Sequence, residues 1–379
     1  MSNVYNFSTL DEYIYKKAVR RYQLLILSSE CFFLVISGEV YEYISCMAKS
    51  STNTLFFRSN TSNKYYSVES QKDGTGYKLN PQTFSRLEKP PQKTNGVAIV
   101  TGHSNFAHFL WNQLPALIKV NKGVPVCQEV ETLIDVQKIG FKTIQKKNLN
   151  KYNSIYIGSQ FIDRETIKLV KEMLIDNQLS IWHKNEGKKI IYLGVRGDGK
   201  RALLQEAQFY ESIIKNINLR FKDRVMFLLD GFSFQNNNLG SGKAQKRSEE
   251  VSKVIDKVIQ ECGCDNAFSI NSLPLKEFIK IAECFDFYIT HEGTMQHKIG
   301  WFHPDKIGIL LTGSSHPGTV ANWHQNQVEA NHNNLTVLGR ENFVQYNGAN
   351  QMRNNSFGII DLAKTVKEVE LIIEKKVFL

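Results

Sequence analysis

The stretch FDFYITHEGTMQHKIGW, residues 285–301, decides the fold of this chain. It begins as an apolar run, stops at His291-Glu292-Gly293-Thr294, and continues with apolar residues at helical spacing. This order predicts a β-strand, a tight polar turn and the first turn of an α-helix. Because a helix N-terminus carries unpaired N–H groups and a positive partial charge, the turn predicts a phosphate-binding site. An ordinary strand-to-helix connection with an N-cap fits the same pattern.

The residues of this turn supply the groups that a phosphate site needs. Gly293 allows close backbone approach, and Thr294 can serve as N-cap or as a phosphate ligand. His297 and Lys298 bring hydrogen-bonding or positive groups to the same region. The predicted ligand-binding residues here are His291, Gly293, Thr294, Met295, His297 and Lys298.

Strands and helices alternate on both sides of this stretch, which predicts parallel sheets with right-handed crossovers. Ligands of such sheets bind beyond the carboxyl ends of the strands, so polar residues at those ends are site candidates. The predicted strands are 97–101, 154–158, 190–195, 225–230, 268–270, 285–290 and 306–311, and the predicted helices are 105–120, 164–178, 205–217, 246–262, 275–284, 294–302 and 359–375.

The helix predicted after the first of these strands carries polar residues on one face. His108 and Asn112 are four residues apart, and Asn105 precedes His108 by three, so the three side chains line one stripe. His103 lies in the same segment, at the carboxyl end of the strand. The alternative is a structural helix with Asn105 as N-cap and His108 in the core. Pro115 predicts a kink in this helix.

A basic loop follows the strand at 190–195. Arg196, Lys200 and Arg201 bring three positive charges to one turn in which glycines free the backbone, an arrangement that suits a diphosphate leaving group. A solvated basic turn is the alternative interpretation. Glu206, at the start of the next predicted helix, is interpreted either as a residue that orients one of these cations or as an ordinary first-turn acid.

Two further polar residues follow predicted strands. Asp230 ends the strand at 225–230 and is predicted to bind a ribose or a base, although an Asp before a Gly is also a common turn. His316 follows the strand at 306–311 and is predicted to contact a base or an acceptor.

Length and charge indicate the class of protein and of partner. The chain has 379 residues and 42% hydrophobic content, enough for two domains with their own cores. Lys plus Arg exceed Asp plus Glu by 47 − 37 = 10, which suits a nucleotide, an acidic glycan or a lipid head group, or a solvated basic surface. Without an aromatic-interleaved basic stripe or a zinc-finger spacing, no nucleic-acid partner is expected.

Cysteine spacing and the early apolar stretch indicate in which cellular compartment the protein is expected. Cys262 and Cys264 are separated by one residue, too few for the usual C-x-x-C geometry, so reduced thiols and no metal are expected. The apolar stretch at 24–38 is too short for a membrane span and predicts two buried strands. The first residues lack the basic start of a secretory signal, so a cytoplasmic protein is expected.

Three of these motifs, in this order, resemble those of glycosyltransferase family sixty-one. Residues 105–117 keep the Asn, His, Leu-Pro and Leu of the family pattern N-x-x-H-W-x-x-E-x-L-P-R-L, with Asn112 at its acidic position and Ala116 at its Arg. Residues 192–206 match its Arg-containing loop, and residues 291–295 match its H-G-(A/S)-x-(L/M) turn with one residue inserted or substituted. The resemblance covers roughly residues 96 to 315.

The resemblance implies a GT-B fold, in which two Rossmann-like parallel-sheet domains face a cleft. The implied segments are a β-rich N-terminal extension at 1–92, an acceptor domain at 93–185, a nucleotide-sugar-binding domain at 186–358, and a C-terminal helix at 359–379 that crosses back. The implied activity is a metal-independent, inverting glycosyl transfer from a nucleotide sugar to a glycan or lipid-linked acceptor, at the inner face of a membrane in bacterial capsule or lipopolysaccharide synthesis.

In this interpretation His108 or His103 is the catalytic base, followed by Glu292, and the basic loop binds the leaving group together with the backbone of the Gly293 turn. The replacement of the family's acid by Asn112 puts any role of that acid in doubt. Two alternatives stay open: another nucleotide-sugar enzyme such as a 2-epimerase, and a non-catalytic glycan-binding protein that keeps the two-domain shell.

Overall fold

A computed structural model gives the fold of two compact units, Met1–Thr166 and Ile167–Leu379. The residues that the structure describes are 24–26, 32–36, 39–48, 52–59, 61–73, 76–89, 97–102, 106–118, 122–156, 162, 164–174, 187–197, 202–234, 242–313, 335–339, 341–345 and 356–379.

The described residues of the first unit form two sheets. Six consecutive strands form an antiparallel meander in the order β1-β2-β3-β4-β5-β6, and three strands form a parallel sheet in the order β8-β7-β9. The β-rich N-terminal extension is therefore confirmed. The strands are β1 (Leu24–Ile26), β2 (Phe32–Ile36), β3 (Glu39–Ala48), β4 (Thr52–Ser59), β5 (Tyr65–Asp73), β6 (Gly76–Leu87), β7 (Val97–Thr101), β8 (Val126–Gln128) and β9 (Asn153–Tyr156).

The helical segment after β7 is interrupted where the sequence predicted a kink. It consists of α1 (Phe106–His108), a π-helical turn (Phe109–Gln113) and α2 (Leu114–Leu117). Pro115 has no N–H to donate to the preceding turn, which accounts for the widened backbone immediately before it. The Gln113 side chain is hydrogen-bonded to the end of β7. Its Oε1 accepts from Thr101 Oγ1 at 3.0 Å and from Gly102 N at 2.9 Å.

The second unit is built on a six-stranded, fully parallel sheet in the order β12-β11-β10-β13-β14-β15. Numbered from β10, this is the order 3-2-1-4-5-6 of the doubly wound nucleotide-binding folds. The strands are β10 (Lys189–Gly194), β11 (Val225–Asp230), β12 (Ala267–Ser269), β13 (Phe287–His291), β14 (Ile307–Leu311) and β15 (Leu335–Leu338), with a separate antiparallel pair β16 (Phe343–Gln345) and β17 (Phe357–Ile359).

Helices connect these strands and close the core. Every residue of β11 and β13 is buried, as expected for central parallel strands covered on both faces. The helices between and after these strands are α4 (Glu206–Phe221), α5 (Gly242–Cys262), α6 (Leu275–Ala282), α7 (Thr294–Gly300) and α8 (Leu362–Ile373), with a 3-10 turn at Lys222–Arg224 and a π-helical end at Glu374–Phe378. Earlier in the chain lie a 3-10 turn at Lys146–Lys151 and the helix α3 (Arg164–Leu174). In the part of the chain with described coordinates, no helix is long and apolar enough to cross a membrane.

The C-terminal helix α8 packs on α4. Val366, Val369 and Ile373 enter the same core as the α4 face, and the buried Glu370 carboxylate accepts from Asn216 Nδ2 and Arg220 Nη2, each at 2.5 Å. The predicted α/β class, with a Rossmann-like parallel sheet, is thus confirmed, and the sheet is consistent with one domain of a GT-B fold.

Candidate functional site

The topological switch point of the sheet lies between β10 and β13, because the strand order reverses there. The connections that leave β10 and β13 therefore diverge to opposite sides and open a crevice at the carboxyl ends of these strands. Arg196 and Gly197 follow β10, and His291 to Gly293 follow the same end of β13. The sequence had placed its basic loop and its polar turn in these two connections, and the strand order makes them neighbours.

A buried His–Glu pair joins the two connections. His291 Nε2 lies 2.6 Å from Glu206 Oε1, and both side chains are almost completely buried. Glu206 is the first residue of α4, the helix that follows the β10 loop. The pair therefore ties the end of β13 to the start of α4.

The same Glu206 carboxylate holds the β10 loop. Its Oε1 accepts from Arg196 N and its Oε2 from Gly197 N, both at 2.7 Å. A carboxylate that accepts two backbone N–H groups forms strong, charge-assisted bonds. Glu206 thus holds the backbone of the loop that carries Arg196.

The Arg196 side chain crosses to the other connection. Its Nη1 donates to the carbonyl oxygen of Glu292 at 2.9 Å, and the guanidinium is half-buried. The Glu292 carboxylate is held in turn, since its Oε2 accepts from Thr312 Oγ1 at 2.7 Å. Arg196 and Glu292 therefore lie together at the switch point, one as a permanent cation and one as an oriented carboxylate.

The backbone of the β13 turn has the conformation that only glycine adopts easily. Gly293 has φ +103°, and its N–H donates to Gln296 Oε1 at 3.1 Å. This amide is thus engaged by a side chain of α7. Met295 is buried against β10, where a Cβ on Gly194 would come within 2.7 Å of Met295 Sδ. Met295 therefore packs α7 against the sheet.

Lys298 and Asp230 form a buried ion pair. Lys298 Nζ lies 2.5 Å from Asp230 Oδ2 and 2.9 Å from Ser233 Oγ, and Tyr192 donates its hydroxyl to the same Asp230 oxygen at 3.2 Å. Burial and the Asp230 charge raise the pKa of Tyr192 well above its usual value. Lys298 also lies 4.2 Å from the centre of the Phe278 ring. Both residues were expected to bind a ligand, but their charges are paired inside the domain, since each side chain is at most 3% exposed.

His297 is likewise an interior residue. Its ring stacks on Trp301 at 4.3 Å between centroids, with 9° between the planes, and its side chain is buried. His297 was expected to bring a hydrogen-bonding or positive group to the ligand, but its side chain lies in the interior. Thr294, by contrast, is partly exposed at the start of α7.

Arg247 was missed by the sequence analysis. Its Nη2 donates to the carbonyl oxygen of Arg196 at 2.9 Å, from the second turn of α5. Val251, one turn further along α5, packs against the same loop, where a Cβ on Gly197 would lie 3.5 Å from Val251 Cγ2. The i, i+4 spacing of Arg247 and Val251 indicates a shared helix face. Nothing in the sequence marks which loop that face meets.

Other predicted residues fall outside the described part of the chain. These are His103, Asn105, Lys200, Arg201 and His316, and the side chains of His108 and Asn112 within the helical segment after β7. Among the described residues no cluster of His, Cys, Asp and Glu side chains could hold a metal ion.

Several solved structures resemble this chain at low similarity. No protein-family model matches it, and no curated protein sequence matches it either. A trehalose-6-phosphate synthase from E. coli bound with UDP-2-fluoro glucose is 9% identical over 58% of this chain and 59% of that one, with a TM-score of 0.30. A UDP-forming trehalose-phosphate synthase from Burkholderia xenovorans is 10% identical over 52% and 48%, with a TM-score of 0.30. A further trehalose-6-phosphate synthase, OtsA, is 10% identical over 52% and 47%, with a TM-score of 0.30. The chain spans about half the length of these proteins.

Proposed function

We propose that the protein is a metal-independent, inverting glycosyltransferase that moves a sugar from a nucleotide-sugar donor to a glycan acceptor. The observation that carries the proposal is the meeting of Arg196, Glu206, His291 and Glu292 at the switch point of a doubly wound sheet. Nucleotides bind at this point of such sheets. The three motifs that resemble glycosyltransferase family sixty-one supply the reaction class, and two of them end at this point.

The positive groups of the site serve the departing phosphate. In the transfer, the acceptor oxygen bonds to the anomeric carbon while the bond from that carbon to the phosphate oxygen breaks, and the electron pair leaves with the nucleoside diphosphate. Arg196 lies where its guanidinium can stabilise that charge. Lys200 and Arg201 of the same loop, Thr294 and the backbone of the Gly293 turn complete the proposed leaving-group site.

A base must take the proton of the acceptor hydroxyl. His108 and His103 remain the first candidates, with Glu292 next. The Glu292 carboxylate is partly exposed and oriented by Thr312, which suits a group that accepts a proton. The acceptor proposed from the resemblance is a glycan or a lipid-linked glycan of capsule or lipopolysaccharide synthesis, bound at a membrane surface.

Nucleotide binding by the purified protein tests the proposal. Thermal shift and calorimetry are measured against UDP, GDP, CMP and their sugars, with and without EDTA. A ligand at a hundredfold excess over its Kd stabilises the folded state by about 2.7 kcal/mol, so modest affinity is detectable. We expect one nucleotide class to stabilise the protein equally with EDTA, and Arg196→Ala to abolish this. Lys188→Ala, at an exposed position before β10, serves as control.

Product analysis then separates the rival functions. Transfer to an acceptor supports the glycosyltransferase, whereas conversion of the sugar without any acceptor identifies a nucleotide-sugar epimerase. Glycan binding with no response to any nucleotide would contradict the proposal and favour the non-catalytic glycan-binding protein.

A further inference from the structure

The outer face of the C-terminal helix α8 carries basic and apolar side chains. The exposed residues of the helix and of its π-helical end include Ala363, Lys364, Lys367, Leu371, Lys375 and Lys376. Spacings of three and four residues place four of them, from Lys364 to Lys375, in one stripe along the helix. Leu371, in the middle of this stripe, is 52% exposed. The side of α8 that faces away from the core is thus a row of lysines with an apolar side chain among them.

The acidic side chains of α8 are bonded to other parts of the domain. Glu370 and Glu374 pair with Arg220 of α4, and Glu368, the remaining acid of the helix, accepts from a side-chain amide at 2.8 Å. Lys367 Nζ lies 3.7 Å from Glu370 Oε2, and an ion pair this long to an exposed lysine contributes little. The stripe therefore presents a net positive charge to solvent.

The end of α4 lies beside the end of this stripe and adds to its charge. The rings of Phe221 and Phe378 stack with their centroids 3.9 Å apart, which joins the two ends. The exposed Arg224 guanidinium lies 5.8 Å and 5.6 Å from the centres of these rings. A guanidinium over an aromatic ring keeps its full charge. Lys222 and Asp223 are both exposed and offset each other, so Arg224 supplies one net positive charge here.

We infer that this surface, the α8 face, binds an anionic membrane. It consists of Lys364, Lys367, Leu371, Lys375, Lys376 and Arg224. The inference rests on the proposed function, which has its acceptor at a membrane surface, and extends it by assigning the part of the protein that lies on the lipid. Anionic head groups attract each basic residue near the surface, and interfacial helices combine such residues with apolar side chains that enter the head-group region. The exposed Leu371 among the lysines favours a lipid surface over an acidic macromolecule, which would use the charges alone.

Vesicle binding by the purified full chain tests this. Flotation measures partitioning onto phosphatidylcholine vesicles with or without about 30% phosphatidylglycerol. We expect binding to the anionic vesicles, weakened by salt, and little binding to the neutral ones. Lys375→Gln with Lys376→Gln is expected to weaken partitioning about 30-fold, at about fivefold for each basic residue. Lys253→Gln with Lys257→Gln removes the same charge from exposed positions of α5 and is the matched control.

A second variant distinguishes lipid from an acidic macromolecule. Leu371→Gln keeps every charge of the α8 face, and we expect it to weaken vesicle binding about tenfold through the lost burial of one leucine side chain. Double-stranded DNA serves as the competing polyanion. If Leu371→Gln binds vesicles like the wild type, and the wild type binds DNA through the same two lysines, the face is a polyanion site and the inference is overturned.

The outcomes separate this inference from the proposed function. Equal weakening by the two pairs of lysine substitutions indicates an effect of overall charge and overturns the inference. A wild type that binds a nucleotide but no anionic vesicle overturns the inference alone. Vesicle binding that depends on the α8 face, without binding of any nucleotide, keeps the membrane surface and contradicts the nucleotide-sugar function.

Discussion

His291 Nε2 and Glu206 Oε1 lie 2.6 Å apart in the interior of the second unit, although 85 residues separate them along the chain. Glu206 also accepts the amides of Arg196 and Gly197. One buried carboxylate therefore holds both connections of the proposed nucleotide site. This relationship makes Glu206 the residue through which the stability of the fold and the shape of the site are linked.

Replacing this carboxylate is expected to cost both stability and ligand binding. Glu206→Ala leaves two loop amides and the buried His291 without their acceptor, so we expect a loss of about 3 kcal/mol in the free energy of unfolding. Glu206→Gln keeps one carbonyl oxygen but turns an NH2 group toward a donor, so a smaller loss is expected. Urea unfolding measures the free energy of unfolding of both variants. A change below about 0.5 kcal/mol in Glu206→Ala would show that these contacts do not stabilise the fold.

The contact between the loops after β10 and β11 predicts an intolerant glycine. Gly231→Ala places a Cβ against the Val195 carbonyl and Val251, and this collision with backbone is expected to destabilise the protein by about 2 kcal/mol or more. Gly242→Ala is the matched control, because an added Cβ there meets nothing within 4 Å. Thermal unfolding of both variants checks this, and equal melting temperatures would refute it.

The buried pair of Lys298 and Asp230 predicts strong coupling between two positions far apart in the sequence. Lys298→Met leaves the Asp230 charge buried without its partner and is expected to cost about 3–5 kcal/mol. The double variant Lys298→Met with Asp230→Asn removes both charges and is expected to recover part of this loss. A double-mutant cycle by urea unfolding measures the coupling, and additive losses would contradict it.

His303 predicts sensitivity to acid. Burial, with smaller effects of Lys171 and Lys306, lowers the pKa of His303 to about 4, and its Nε2 donates to the Ile279 carbonyl at 2.8 Å. In the unfolded chain this histidine has its ordinary pKa of about 6.5. Between the two pKa values the unfolded state therefore binds more protons than the folded state, so the free energy of unfolding falls as the pH falls. From pH 7 to pH 5 this costs about 2 kcal/mol.

The corresponding control is His303→Gln, which can keep the hydrogen bond to Ile279 and does not titrate. Unfolding free energies of both proteins at pH 5, 6 and 7 isolate the contribution of this histidine from that of other groups. We expect the wild type to lose about 2 kcal/mol more than the variant over this range. Parallel pH profiles would show that His303 titrates normally.

Local patterns were sufficient to predict most elements of the second unit, although the strands β15, β16 and β17 were not predicted. The strand at 225–230 has the predicted bounds, and the strands predicted at 190–195 and 285–290 differ from β10 and β13 by one or two residues at each end. Helix periodicity and strand runs depend on neighbours in the chain, which is why they were visible in the sequence. Pro115 similarly marked the interruption of the helix that follows β7.

Contacts between residues that are far apart in the sequence were not predictable from local patterns. His297 and Lys298 were expected near the ligand because they follow a polar turn, but the helix face on which they lie points into the core. Arg247 lies 51 residues from Arg196, and nothing in its own surroundings indicates the contact. Such contacts depend on which strands become neighbours, a choice made by packing over long separations.

The sequence by itself determined the alternation of strands and helices and the polar residues at the strand ends, because both follow from local periodicity and residue chemistry. Only the tertiary structure decided the strand order that brings β10 beside β13. That order joins Glu206 to His291 and Arg247 to Arg196, and it pairs Lys298 with Asp230 in the interior. The physical reason is that burial of the sheet on both faces selects the strand neighbours, and the neighbours then determine which side chains meet in the interior and which meet at the switch point.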